Sequence, residues 1–222
     1  MKKTFSFLLF VAFVFCAKPG DAQRKINEGK ITFEITYPDM ELDQQTMAML
    51  PDKSTMYFKD NMSRIEINMA MGSTVVISDN DKKTSTTLMD MMGNKMAINL
   101  TQEDIEREKR DKPKSRVVKL DETKDIAGFI CKKAQVVPDD SSESKPYEVW
   151  YTNEIATKNS FRSAVEGIDG FLMEFKTTQN NMTMKMSCKS VEETKVDEAI
   201  FKIPDGYRAV TIDELRGAGG MK

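Results

Sequence analysis

The 222 residues contain no histidine. That absence removes Ser/His/Asp and Cys/His triads, histidine zinc sites and imidazole acid–base chemistry together. Cysteine is nearly as scarce, with three residues, and there is one tryptophan. No GxGxxG or GxxxxGK run occurs to cradle a phosphate, and no GxSxG turn to present a serine nucleophile. The 33 Lys and Arg against 35 Asp and Glu leave a net charge of -2 with no concentrated basic face, so nucleic acid is not an expected partner. No apolar run reaches the roughly 18 residues expected of a membrane-spanning helix.

What is present begins with an export signal. Lys2 and Lys3 precede a mostly apolar stretch from Phe5 to Ala17, and Gly20 and Ala22 supply the small residues of a cleavage site. Residues 1–22 therefore read as a cleaved signal peptide and 23–222 as one domain. Phe15 ahead of Cys16 does not resemble a lipobox, so the expected product is soluble, in the periplasm or secreted. Removing Lys2, Lys3, Lys18 and Asp21 leaves 30 basic against 34 acidic residues, a mature net charge of -4. Cys131 and Cys188 remain as an even pair in an oxidising compartment. A disulfide between them is expected, closing a loop worth roughly 4 kcal/mol in chain entropy; two separate buried thiols are the alternative.

Period-two alternation dominates the chain. In KITFEITYP, Ile31, Phe33 and Ile35 share one face with Tyr37, and Thr32, Glu34 and Thr36 the other. STMYFKD, SRIEINMA, STVVISD, KTSTTLMD and NKMAINL follow, separated by Asn, Asp and Gly turns too short for crossover helices. This predicts an antiparallel meander. Thr101 three residues before Asp104 opens a short charged helix with Ile105 as its aliphatic anchor. Strands resume at SRVVKL, AGFICKKAQVV, YEVWYT, GFLMEFKTTQ and MTMKMSCKSVEE, about eleven strand candidates in all, and the tail holds AIFKIPDGYRAV and a short VTIDELRG helix. A mixed turn and short helix is expected over 153–170.

Methionine is the clearest local signature, with 17 residues. Met182, Met184 and Met186 alternate along one strand face that also carries Cys188. Three readings stand: an ordinary adaptable core, the wall of a cavity for a flexible apolar ligand, or a thioether site for a soft metal. Trp150 and Tyr151 lie on opposite faces of one strand, each a core plug or a rim contact. Glu148, Glu154, Glu166 and Glu174 show no spacing that marks a glycosidase pair, and Asp79 and Asp81 lack the Gly and terminal Glu of a calcium loop. No catalytic residue, cofactor or metal is expected.

GKITFEITYP, DIAGFICKKAQV with YEVWYTNEI, GIDGFLMEF and FKIPDGYRAVT together resemble an exported Bacteroidetes family of unassigned function, similar in fold to the lipoprotein-localisation carriers. The resemblance implies a mainly β (α+β) domain: a strongly curved antiparallel sheet forming an incomplete barrel, its concave side covered by a few short helices. It further implies an apolar cavity, for which Ile31, Phe33, Ile35, Trp150, Met182, Met184 and Met186 are the lining candidates. The function expected on this basis is a non-enzymatic carrier of an apolar small molecule, lipid or lipoprotein acyl chain. A structural or interaction module with an envelope protein partner is the alternative.

Overall fold

A computed structural model describes residues 25–38, 40–111, 114–139, 146–157, 165–179 and 182–217. The signal peptide, the polar loop at 140–145 and residues 158–164 of the turn expected over 153–170 lie outside the described residues.

Twelve strands make one sheet. They are β1 (Glu28–Thr36), β2 (Lys53–Lys59), β3 (Met62–Met69), β4 (Gly72–Asp79), β5 (Thr84–Met91), β6 (Asn94–Leu100), β7 (Ser115–Ile126), β8 (Phe129–Pro138), β9 (Tyr147–Thr152), β10 (Phe171–Gln179), β11 (Met182–Glu192) and β12 (Arg208–Val210). Their spatial order is β12-β6-β5-β4-β3-β2-β1-β11-β10-β9-β8-β7. Two meanders, β1 to β6 and β7 to β11, therefore meet where β1 pairs with β11. All neighbours are antiparallel except β12, which runs parallel to β6.

Turn chemistry sets these registers. Met92–Gly93 and Ala127–Gly128 carry positive φ at both positions, which gives a two-residue turn the twist of its flanking strands. Between β3 and β5, Gly72 is required by close approach: a Cβ there would lie 2.0 Å from the carbonyl oxygen of Asp90.

The main core gathers on one face around the seam. Ile31, Phe33, Ile35, Met56, Phe58, Cys131, Trp150, Phe171, Met173, Met186 and Cys188 are all buried in it. Phe33 lies 6.3 Å from Phe171 and 6.1 Å from Phe175 between ring centroids. A second cluster of Ala134, Val136, Val149, Tyr151 and Leu172 forms on the opposite face of β8 and β9, which explains why Val149, Trp150 and Tyr151 are buried consecutively. The register of β10 against β9 slips between Leu172 and Glu174, and Met173, the residue within that irregularity, is fully buried.

The half-barrel expectation is corrected. The sheet is open: its terminal strands β12 and β7 occupy opposite ends of the strand order. β7 ends the sheet with a charged sequence, SRVVKLDETKDI, and an irregular register at Lys119/Thr123, features that blunt further pairing. Nor, among the described residues, do helices roof the core. The helix α1 (Gln44–Met47) buries no residue. Thr101 and Asp104 exchange hydrogen bonds that cap α2 (Gln102–Asp111). Ile105 of α2 packs at the sheet margin with Leu100 and with Ile212 of α3 (Ile212–Gly217).

Candidate functional site

The connection from β11 to β12 is the feature that shapes the surface. It leaves the sheet next to β1 and returns beyond β6, so residues 193–207 cross the second face of the first meander as a strap. Each crossing point has an anchor. Glu28 accepts the Val196 N–H at 2.8 Å and pairs with Lys195 at 3.1 Å. The backbone donor first, then Lys195, holds the Glu28 carboxyl below its ordinary range. Lys59 donates to Glu198 at 2.7 Å, within a 3-10 turn (Glu198–Phe201) capped by Asp197. Arg64 donates Nη1 to the Ile200 carbonyl at 2.9 Å and Nε to Glu66 at 2.6 Å. Tyr207 packs on Val75, Leu88 and Ala97, with the Lys95 ammonium 5.7 Å from its ring centre.

Two clefts open along the strap. The larger, about 330 Å³, is lined by Tyr57, Arg64, Glu66, Ile200, Lys202 and Pro204 among others. The smaller, about 240 Å³, lies between Met62, Ile77, Asp79 and Lys82 of the sheet and Phe201 and Ile203 of the strap. A tyrosine ring beside a guanidinium, a carboxylate and an ammonium is a surface suited to a hydroxyl-rich ligand, which needs both an apolar face and paired donors and acceptors.

A third constellation surrounds Trp150. The Lys124 and Lys133 ammonium groups lie 4.3 and 5.6 Å from its ring centre. Lys124 and Lys185 both pair with Glu174, and Lys133 pairs with Glu122 and Glu148. The ring itself is buried, with both ammonium groups over it. Glu148 and Glu174, two of the carboxylates whose spacing marks no glycosidase pair, are engaged with different lysines. Among the described residues no group of three or more Cys, Asp and Glu is placed to hold a metal ion.

The other residues expected from the sequence fall as follows. Ile31, Phe33, Ile35, Trp150 and Met186 come together in the main core; Met184 packs against it half-buried, and Met182 is half-buried at the start of β11. None of them lines either cleft. Cys131 and Cys188 share that core, but the expected disulfide is not made: both thiols are free. β9 and β10 stand between their strands, so the two backbones are not neighbours, whereas a disulfide needs a Cα separation of roughly 4.4–6.8 Å. Each thiol is satisfied locally instead, by the carbonyls of Phe129 and Ser190. The strap residues escaped the sequence reading because AIFKIPDGYRAV carries no site-like motif. Pro204 and Gly206 were the available signal that most of it is not a strand.

Residues 31–215 match the family model for the N-glycanase peptide, N-terminal domain. The chain belongs to this family. Two solved structures of PNGF-II are similar: one at 17% identity and TM-score 0.53, covering 87% of this chain and 32% of that one, the other at 16% and 0.52, covering 86% and 33%. At that identity the likeness is one of fold, and the chain spans about a third of the PNGF-II length. No curated protein matches the sequence.

N-glycanase-domain membership overturns several expectations. The chain is not of a carrier-like family of unassigned function, and a lipid or lipoprotein acyl chain is not its supported partner. The carrier and envelope-module readings give way to an N-glycanase association, and the assignment to a non-enzymatic family falls with them. No described helix is long and apolar enough to cross a membrane.

Proposed function

We propose that this chain acts in the removal of N-linked glycans, supplying the role of an N-glycanase N-terminal domain by engaging the glycan-bearing substrate. The observation that carries the reading is the family match across 31–215, nearly the whole described domain. The strap cleft supports it, because Tyr57, Arg64, Glu66 and Lys202 offer the ring face and polar groups that sugar hydroxyls require. The signal-like residues 1–22 support a periplasmic or secreted setting for this work, and the proposal takes 23–222 as one domain.

The test is a binding measurement against one glycoprotein before and after its N-glycans are removed, combined with an assay for released glycan. Saturable binding that disappears with the glycans, or glycan release, supports the reading. Equal affinity for both forms together with no release overturns it. Tyr57→Ala with Lys202→Ala should weaken glycan-dependent binding, and an unchanged affinity would remove the cleft from the account.

A further inference from the structure

One end of the first meander concentrates methionine in a way that neither the core nor the strap clefts use. β3, β4, β5 and β6 bring Met69, Gly72, Met91 and Asn94 into one cross-strand row, and Ile67, Thr74, Met89 and Met96 into the next. Directly paired residues in a sheet point to the same side, and so do residues two apart on a strand. Met69, Met89, Met91 and Met96 therefore share one face, which is also the face of Ile31 and Met56 through the row of Ile65. Met89 and Met96 are direct partners. Met69 and Met91 flank Gly72 in the first row. All four are half-buried. At the turn tips beyond them, Met71 and Met92 are exposed and joined by a backbone hydrogen bond of 3.2 Å.

We propose that this methionine face binds one soft monovalent cation, Cu(I) or its redox-stable analogue Ag(I), through three of its thioethers. Thioether sulfur is a soft, neutral donor that selects Cu(I) over harder ions. Neither cross-strand row contains a carboxylate, so a divalent ion would keep two uncompensated charges in a half-buried site, whereas a monovalent ion keeps one. Direct partners on a strand pair stand about 5 Å apart at Cβ and alternate residues about 6.8 Å apart at Cα, distances that unbranched methionine arms can close. Met92, 83% exposed, sits where an incoming ion would first meet sulfur.

Thiols bind the same ions, so the experiment uses the full chain with Cys16, Cys131 and Cys188 replaced by alanine. Native mass spectrometry with Ag(I) and anaerobic competition with a chromogenic Cu(I) chelator read stoichiometry and affinity. One ion per chain is expected. Met89→Leu with Met91→Leu and Met96→Leu should weaken binding by at least about tenfold, and each single leucine variant by less. Met62→Leu, at the other end of β3, should change nothing. Circular dichroism and thermal melts verify that the variants fold; if the triple variant does not, the three single variants decide. The proposal is overturned if the cysteine-free chain takes up no ion, if the folded leucine variants bind as well as their parent, or if Met62→Leu weakens binding equally.

Discussion

Burial pushes the Cys131 thiol up to about 12, with the carboxylates of Asp125 and Glu154 adding to the shift. The Cys188 thiol rises to about 12 for the same first reason, with an electrostatic contribution from Cys131 across the core as the next cause. The thiolate is the reactive species, so both cysteines should resist alkylation in the native protein at pH 8 and label fully once denaturant is added without reductant. Peptide mass mapping checks this. Labelling of the folded state, or failure to label when unfolded, would contradict the burial and the free-thiol state respectively. The pH dependence has a definite sign. A thiol whose folded pKa is raised keeps its proton while the unfolded chain loses it, so this contribution is intact below pH 9 and stability falls as pH rises from 9 toward about 12. Sequence counting could pair these two residues but could not see how many strands would separate them.

At the scale of elements, hairpin registers were readable because each rests on local chemistry: alternation within β2 to β6 and Asn, Asp or Gly at the turns. Gly72 shows how tightly one such register is set. Gly72→Ala drives a methyl onto the Asp90 carbonyl, and backbone on both sides must move. The expected cost is about 1–3 kcal/mol, measured as a drop in the chemical denaturation midpoint with the slope unchanged. The strap was not readable, since its course depends on side chains far away in sequence. Glu28 and Val196 are 168 positions apart and Arg64 and Ile200 are 136. Arg64→Met removes the donor to Ile200 and leaves Glu66 unpaired by it, so amides of residues 198–203 should exchange faster than in the parent, at a global cost of about 1–3 kcal/mol. Acid should loosen the same strap. The Glu28 carboxyl is held below its ordinary 4.5, so its contribution is present above that value and is lost as pH falls through the lower folded value. Hydrogen exchange at Val196 between pH 6 and pH 3, corrected for intrinsic rates, reads this directly; constant protection would show that Glu28 does not hold the strap.

For the whole molecule, the decisive fact is that two sequential meanders join through β1 and β11, leaving an open sheet whose ends need separate protection. Alternation shows that a strand exists and which residues share a face, but it is the same for a rolled sheet and an open one, so it could not test the barrel that the resemblance implied. β7 protects one end with its charges. The other end depends on the C-terminal segment: β12 covers the edge of β6, Tyr207 covers Val75, Leu88 and Ala97, and Ile212 closes over Leu100 and Ile105. A chain truncated after Glu192 would lose all three. It would also expose β6 as an unpaired edge beside an apolar patch, the combination that templates pairing with another chain. The truncated protein should therefore melt earlier and associate more with rising concentration than the full chain, as read by thermal circular dichroism and light scattering. Restoring residues 193–217 as a separate peptide should reverse part of both changes if the segment acts by covering this end. A truncated chain that keeps the parent's melting temperature and its concentration-independent mass would show instead that the sheet sustains the open edge by itself.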